Sequence, residues 1–341
     1  MKALVKFAEG KEGIEIRDIP VPVPKNNELL VKIMAAGICG TDIHIMKDEY
    51  AYNPPVALGH EFTGIVTDMG CDVVGFEKGD QIISLTAAVT CGKCRFCKLG
   101  LLMLCNDRLS IGSGTNGAMA EYMVINADLA FKLPDNVAGD DVMALSEPLA
   151  CVIRAVIEQS RTKAGDVVLV SGPGTIGQLT MLVAKMQGAY VIGSGIAADA
   201  ERLKLAKELG ADAVASDLDE LKKIVADTTV AGVDVAFECA GAAASFDVCL
   251  DLVKKKGNLA QVGLYGKKIP ADLDLILFKE LDFTVNFAQE RTSWEILLQL
   301  AAQGKLDKIK HLISARMPIE EWSKAFDMFL NKEGYKIFLT P

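Results

Sequence analysis

The chain has 341 residues, half of them apolar, and a formal charge of −9. That length suits two domains of roughly 100–200 residues each. The acidic balance and the lack of any long basic run exclude a nucleic-acid or anionic-membrane surface, which would need clustered Lys and Arg.

The opening MKALVKFAEG alternates like a strand and lacks the apolar core of a signal peptide. No apolar run reaches the roughly 18 residues of a spanning helix, so a cytoplasmic protein is expected. Up to about residue 140 the texture is β-rich: ELLVKIMAAGI (28–38), FTGIVTDMG (62–70) and GDQIISL (79–85) are short apolar or alternating runs closed by turn residues. Near residue 150 it changes. DVVLVSG (166–172) is continuously apolar, as expected of a strand buried on both faces, and IGQLTMLVAKMQ (176–187) has helical spacing. YVIGS (190–194) predicts a second strand and AERLKLAKELG (200–210) a second helix. DVAFECAG (234–241), a helix over 243–257 and NLAQVGLYG (258–266) continue the alternation, which implies a parallel, doubly wound sheet. Helical patterns return at 293–303 and 319–331.

Between the first buried strand and its helix lies Gly172-Pro173-Gly174-Thr175-Ile176-Gly177. In such a loop the first glycine makes a tight turn, the second lets a pyrophosphate approach the backbone, and the third lets helix and strand pack closely. The helix N-terminus supplies free N–H groups for the phosphates. Strand before, helix after and a βαβ unit around it make this a dinucleotide-binding loop.

Nine cysteines are present, four of them in CGKCRFCKLGLLMLC (91–105). In a reducing compartment clustered cysteines bind metal or do chemistry rather than form disulfides. An iron–sulfur cluster, a nucleic-acid zinc ribbon and a structural zinc are the remaining readings. Farther upstream, Cys39 in AAGICGTDIH and His60-Glu61 in LGHEFTG offer a thiolate, an imidazole and a carboxylate. Such a mixture can hold zinc with one position open for chemistry.

The motifs GICGTDIH, GHEFTGIVTDMGCDV (59–73), the four-cysteine lobe, SEPLACVIRAV (146–156) and SGPGTIG (171–177) come in that order along the chain. In this order and spacing the chain resembles the zinc-containing medium-chain alcohol and polyol dehydrogenases over nearly its whole length. The resemblance implies an α/β protein: a GroES-like β-rich catalytic domain (1–147 and 280–341) with a Rossmann domain (148–279) inserted. Cys91, Cys94, Cys97 and Cys105 match the family's closed structural zinc lobe. A ferredoxin-type cluster would want a shorter last gap followed by Pro, where this chain has Asn106. The resemblance assigns a catalytic zinc to Cys39, His60 and Glu61, with Glu147 as a carboxylate that reaches or nearly reaches the metal. It assigns a proton relay to Thr41 and His44, and Asp42 is expected to orient His60.

The implied reaction is zinc-assisted hydride transfer between an alcohol and a nicotinamide cofactor. The nicotinamide is expected near Cys239, Ala240, Val262, Gly263 and Leu264, in loops at the carboxyl ends of later strands. The residue after the second strand is Gly195, where an NAD-specific domain carries an acid. Ser194 and Arg202 could meet a 2′-phosphate, with Asp199 read as the cap of the following helix, so NADP(H) is favoured over NAD(H). A small-molecule alcohol or ketone is the expected partner, together with further copies of the chain as a homodimer or homotetramer; neither nucleic acid nor membrane is expected. The rival substrates are a sugar phosphate, for which Arg291 is the candidate cation, and an amino alcohol of the threonine type. The stretch NFAQE (286–290) departs from the usual polyol-enzyme pattern. A silent binding protein of the same fold would have no reason to keep Cys39, Thr41, His44, His60 and Glu61 together.

Overall fold

The structure, a computed structural model, describes residues 1–341 and divides into two compact units. Residues 1–150 and 289–341 form one unit and residues 151–288 the other.

In the first unit the strands in chain order are β1 (Lys2–Lys6), β2 (Ile14–Asp18), β3 (Glu28–Gly37), β4 (Val56–Ala57), β5 (Glu61–Met69), β6 (Gln81–Ser84), β7 (Tyr122–Asn126) and β8 (Ala130–Lys132). Helices α1 (Gly40–Met46), α2 (Arg95–Lys98) and α3 (Ser146–Ile153) are short. β3 alternates buried and more open positions and then turns wholly buried over Ala35–Gly37, the end that delivers Cys39.

The second unit is a parallel sheet made of β9 (Val167–Ser171), β10 (Tyr190–Ser194), β11 (Ala213–Ala215), β12 (Val233–Glu238), β13 (Val253–Gln261) and β14 (Asp282–Val285), in the spatial order β11-β10-β9-β12-β13-β14. Its helices are α4 (Thr175–Met186), α5 (Ala200–Leu209), α6 (Leu218–Thr228), α7 (Ala243–Leu252) and α8 (Leu273–Phe278). Val168, Leu169 and Val170 of β9 are fully buried, which is why that run reads as continuously apolar. The helix predicted over 243–257 ends at Leu252 instead. Val253 is extended, with φ −69° and ψ 135°, and the following lysines join β13, where Lys254 pairs with Asp234 of β12. A β-branched residue followed by a lysine that finds its partner on the neighbouring strand outweighs helical periodicity there.

The chain then returns to the first unit through α9 (Arg291–Ala302), β15 (Ile313–Pro318), α10 (Trp322–Leu330) and β16 (Lys336–Thr340). β16 pairs with β3, giving the order β15-β16-β3-β5-β6-β8, with β7 also on β3. β2, β1 and β4 make a separate three-stranded sheet. Trp294 of α9 is buried and stacks on Phe131 of β8, ring centroids 5.5 Å apart. The order β16-β3-β5 sets side by side the three strand ends that build the first candidate site.

Candidate metal and cofactor sites

Cys39 follows the end of β3, His60 precedes β5, and Glu61 is its first residue. In the β3–β5 register Gly37 lies opposite Glu61. A side chain at Gly37 would put its Cβ 2.3 Å from Glu61 Oε2, so only glycine leaves room for that carboxylate. Ligand atoms of Cys39, His60 and Glu61 all lie within 4.8 Å of one another. Asp42 is fully buried; its Oδ2 accepts the Cys39 N–H at 2.8 Å, and its Oδ1 stands 3.8 Å from His60 Nδ1. That second distance is too long for a hydrogen bond, so Asp42 acts on His60 by charge. Burial pushes Asp42 up from the usual carboxylate range, against the pull of His60.

Burial alone would lower the His60 imidazole, but the Cys39 thiolate and the Asp42 and Glu147 carboxylates raise it well above its ordinary value. A field that negative, lined by a soft thiolate, an imidazole and a carboxylate, fits a divalent cation such as zinc. Glu147, buried in α3, contributes charge to this field and lies outside the tight group of three.

One cation is already present. Lys336, the first residue of β16, is 3% exposed and reaches Glu61, 1% exposed, with Nζ 2.8 Å from Oε1 and 2.6 Å from Oε2. It also donates to the Ile38 carbonyl at 2.9 Å. Burial would lower this lysine, but the charges of Glu61, Cys39 and Glu147 hold it above its ordinary value. Thr41 Oγ1 lies 3.8 Å from Cys39 Sγ. His44 sits in α1, partly exposed, with Nδ1 2.7 Å from Glu49 Oε2.

The four cysteines of the lobe converge around α2. Cys94 Sγ is 3.5 Å from Cys97 Sγ, which is 3.9 Å from Cys91 Sγ. A tetrahedral zinc with four thiolates at about 2.3 Å would set them roughly 3.8 Å apart. The backbone N–H of Cys94 donates to Cys91 Sγ at 3.3 Å, that of Cys97 to Cys94 Sγ at 3.4 Å, and that of Cys91 to Cys105 Sγ at 3.4 Å. The amides of Lys93 and Cys94 draw Cys91 down to about 7, while burial and the neighbouring thiols push Cys97 up to about 11. Spacing and amide donors fit a closed four-thiolate metal site.

In the second unit, Gly172 leaves β9 with φ 101° and donates to the Ser194 carbonyl at 2.9 Å. A Cβ on Gly177 would sit 1.9 Å from the Gly172 carbonyl, whereas one on Gly174 would meet nothing within 4 Å. No side chain caps the N-terminus of α4, which begins with Thr175 and Ile176. The loop is closed where helix meets strand and open where a phosphate would approach, so it fits a dinucleotide.

Ser194 is buried at the end of β10, beside Gly195. Asp199 does not cap α5: its Oδ2 turns back to accept the Ile196 N–H at 3.1 Å, and it lies 3.0 Å from where a Gly195 Cβ would be. The short helical turn over Ala197–Asp199 that precedes α5 draws the carboxylate toward the end of β10. Arg202 approaches it, NH1 to Oδ1 at 3.9 Å. Cys239, Ala240, Val262, Gly263 and Leu264 lie in the loops leaving β12 and β13. Arg291 donates to the Asp128 carbonyl and lies over the Phe131 ring.

Sequence reading missed Lys336, Glu49 and Glu238, whose carboxylate accepts the Ala240 and Gly241 N–H groups. Lys336 is 275 residues from its partner and carries no motif. Glu49 lies five residues after His44, beyond the end of α1, where helical spacing does not apply.

Two family models match in succession: "Alcohol dehydrogenase GroES-like domain" over residues 25–135 and "Zinc-binding dehydrogenase" over 175–303. The chain belongs to the zinc-binding medium-chain dehydrogenases, oxidoreductases that join a GroES-like domain to a Rossmann-type one. Among curated relatives, the D-arabitol-phosphate dehydrogenase of Enterococcus avium is 37% identical over 99% of this chain and 97% of its own length. The sorbitol dehydrogenase of Halalkalibacterium halodurans is 38% identical over 100% of this chain and 99% of its own. A solved zinc-binding dehydrogenase of Sinorhizobium meliloti bound to NADP has a TM-score of 0.89 and 33% identity, covering 100% of this chain and 99% of that one. No helix is long and apolar enough to cross a membrane.

Proposed function

We propose that the protein oxidises a secondary alcohol or polyol to the matching ketone, and runs the reverse, with a nicotinamide cofactor and two zinc ions per chain. The observation that carries this reading is the convergence of Cys39, His60 and Glu61 within 4.8 Å beside the Thr41 hydroxyl. Cys39, His60 and the carboxylates Glu61 and Glu147 would hold one zinc, and Cys91, Cys94, Cys97 and Cys105 the other. Bound zinc would supply Lewis acidity to an alcohol oxygen, and the nicotinamide a hydride acceptor. The chain's own residues handle the proton. The Thr41 hydroxyl takes it from the alcohol while giving up its own toward the cofactor ribose, and His44, at the end of that relay, releases one proton to solvent. Glu49 fixes the His44 ring by taking Nδ1–H, which leaves Nε2 as the exchanging nitrogen. Lys336 neutralises Glu61 and sets how much of that carboxylate is left for the metal.

Similarity to a sorbitol dehydrogenase supports an unphosphorylated polyol. Similarity to a D-arabitol-phosphate dehydrogenase supports the phosphorylated alternative, but Arg291, its candidate cation, is engaged by Asp128 and Phe131. NADP(H) is the favoured cofactor: Gly195 brings no acid, Ser194 and Arg202 flank it, and the NADP-bound relative is similar over the whole chain. Asp199 opposes this choice with its carboxylate beside Gly195. A homo-oligomer is supported by the edge strand β14, whose Phe283 and Val285 are 43% and 59% exposed, and by α8, whose Leu277 and Phe278 are 65% and 70% exposed. Edges of this kind are normally covered.

The deciding experiment measures kcat/KM for polyols, simple secondary alcohols, threonine and hexitol phosphates with both cofactors, on wild type and Arg202→Ala. Turnover of unphosphorylated polyols with NADP, lost in Arg202→Ala, is the expected result. No cofactor turnover with any alcohol would reject the dehydrogenase reading. A clear preference for NAD that Asp199→Ala abolishes would reverse the cofactor assignment.

A further inference from the structure

Glu238, the last residue of β12, is fully buried. Its Oε1 accepts the Ala240 N–H at 2.9 Å and the Gly241 N–H at 3.0 Å, and its Oε2 lies 3.3 Å from the same Gly241 nitrogen. Its backbone carbonyl accepts the N–H groups of Val262 and Gly263 at 2.9 and 2.8 Å. One residue thus ties the loop after β12 to the loop after β13. The packing around it is close. A Cβ on Gly263 would fall 2.5 Å from Glu238 Oε2, and one on Gly172 would fall 2.7 Å from the Ala240 nitrogen.

As a clamp, Glu238 does not need its charge. A glutamine Oε1 in the same place would accept both short hydrogen bonds and forgo only the 3.3 Å contact. Yet the chain keeps a full carboxylate here, where burial makes an unpaired charge costly. No Lys or Arg pairs with it; the Ala240 and Gly241 N–H groups are its close hydrogen-bond donors, with the Tyr265 hydroxyl also facing it. Its field is felt nearby: burial first, then the Glu238 charge, pushes Tyr265 up, and the same charge adds to the rise at Cys249. A buried carboxyl group with backbone partners and no basic side chain beside it is matched to a cation that comes and goes.

The oxidised nicotinamide ring is such a cation. It carries a positive charge, and it becomes neutral on accepting a hydride, one proton with two electrons, while the alcohol's O–H proton leaves separately. We propose that the Glu238 carboxylate is the counter-charge of the oxidised nicotinamide, so that the site binds the oxidised cofactor more tightly, relative to the reduced one, than a neutral site would. This rests on the reading that the loops after β12 and β13 receive the nicotinamide end. The bound equilibrium is thereby shifted toward alcohol plus oxidised cofactor, and the overall equilibrium in solution is unchanged.

The test measures dissociation constants of the full chain by calorimetry and cofactor fluorescence. Glu238→Gln should raise the ratio of oxidised to reduced cofactor Kd about tenfold, the scale of one unit charge at several ångströms in a protein interior. It should leave the affinity for ADP-ribose, which lacks the ring, unchanged. If that variant does not fold, the wild type still decides: it should bind the oxidised cofactor about tenfold more tightly than the benzamide analogue, whose ring has the same shape and no charge. An unchanged Kd ratio in Glu238→Gln with normal ADP-ribose binding, or equal affinity of the wild type for the cofactor and its benzamide analogue, overturns the proposal. A wild type that binds no dinucleotide rejects the dehydrogenase reading itself, and this proposal with it.

Discussion

Lys336→Met removes the cation that holds Glu61 while keeping most of the side chain's volume. The lysine makes three short contacts, at 2.6 and 2.8 Å to the Glu61 carboxylate and at 2.9 Å to the Ile38 carbonyl. Both side chains are nearly sealed from water, at 4% and 1% exposure. Breaking a buried pair from one side leaves an uncompensated charge, and this costs about 3–5 kcal/mol. For a folding unit of this size that is a Tm drop of roughly 10 °C. The loss should be largest in chelator-treated protein, because zinc beside Glu61 would offset part of the stranded charge. Glu61→Gln together with Lys336→Met should recover most of the stability, since neither charge is then left alone. Calorimetry of the first unit's transition, with and without zinc, reads all three quantities. A metal-free Lys336→Met protein within about 0.5 kcal/mol of wild type would refute the reasoning, because that is the ordinary range of a surface change. So would a double variant no better than the single one.

His44→Ala should slow alcohol oxidation by roughly 10²–10⁴-fold, most at low pH, and leave zinc content unchanged, because it removes a proton exit and no metal ligand. A variant with wild-type rates across pH would return His44 to the role of a surface residue. Asp48 is held down at about 2 by the Lys6 ammonium, with the Gly10 N–H and the Tyr52 hydroxyl also donating to it. A carboxyl depressed in the folded state adds stability that is complete above its ordinary value near 3.8 and is lost as the pH falls through about 2. Asp48→Asn should therefore be less stable than wild type at pH 6 and converge with it below about pH 2, measured by urea unfolding at each pH. A gap that persists unchanged at pH 2 would mean that the hydrogen bonds alone, and not the charge, hold this corner.

The four-cysteine cluster and the glycine loop were legible as arrangements because short spacings survive in a linear text. Cys94 and Cys97 lie three residues apart and meet at 3.5 Å. Gly172 to Gly177 run from the end of β9 into the first turn of α4. The alternation of buried strands and helices from 166 to 210 was legible for a similar reason, since four of the five residues of β9, Val168 to Ser171, are buried and α5 ends at Gly210 in the left-handed region. Less was legible where partners are distant in the chain. Lys336 meets Glu61 only because β16 pairs with β3 beside β5, and no local pattern announces that register. The helix over 243–257 was overextended because the Lys254–Asp234 pair, which helps carry the segment into β13, is a contact twenty residues long. Asp199 stands at the N-cap position before α5, as expected, but its side chain does not cap that helix. A residue just before a helix looks like its cap, but an extra turn over Ala197–Asp199 redirects the carboxylate to the end of β10.

Elemental analysis of the purified protein and of its Cys39→Ser and Cys94→Ser variants, read beside alcohol turnover and circular dichroism, is the most direct test of the two-zinc assignment. The wild type should carry two zincs per chain. Cys39→Ser should keep one, with no turnover and an intact fold, while Cys94→Ser should lose the other and with it stability or assembly. Iron in the wild type, or full activity with a single zinc, would contradict it.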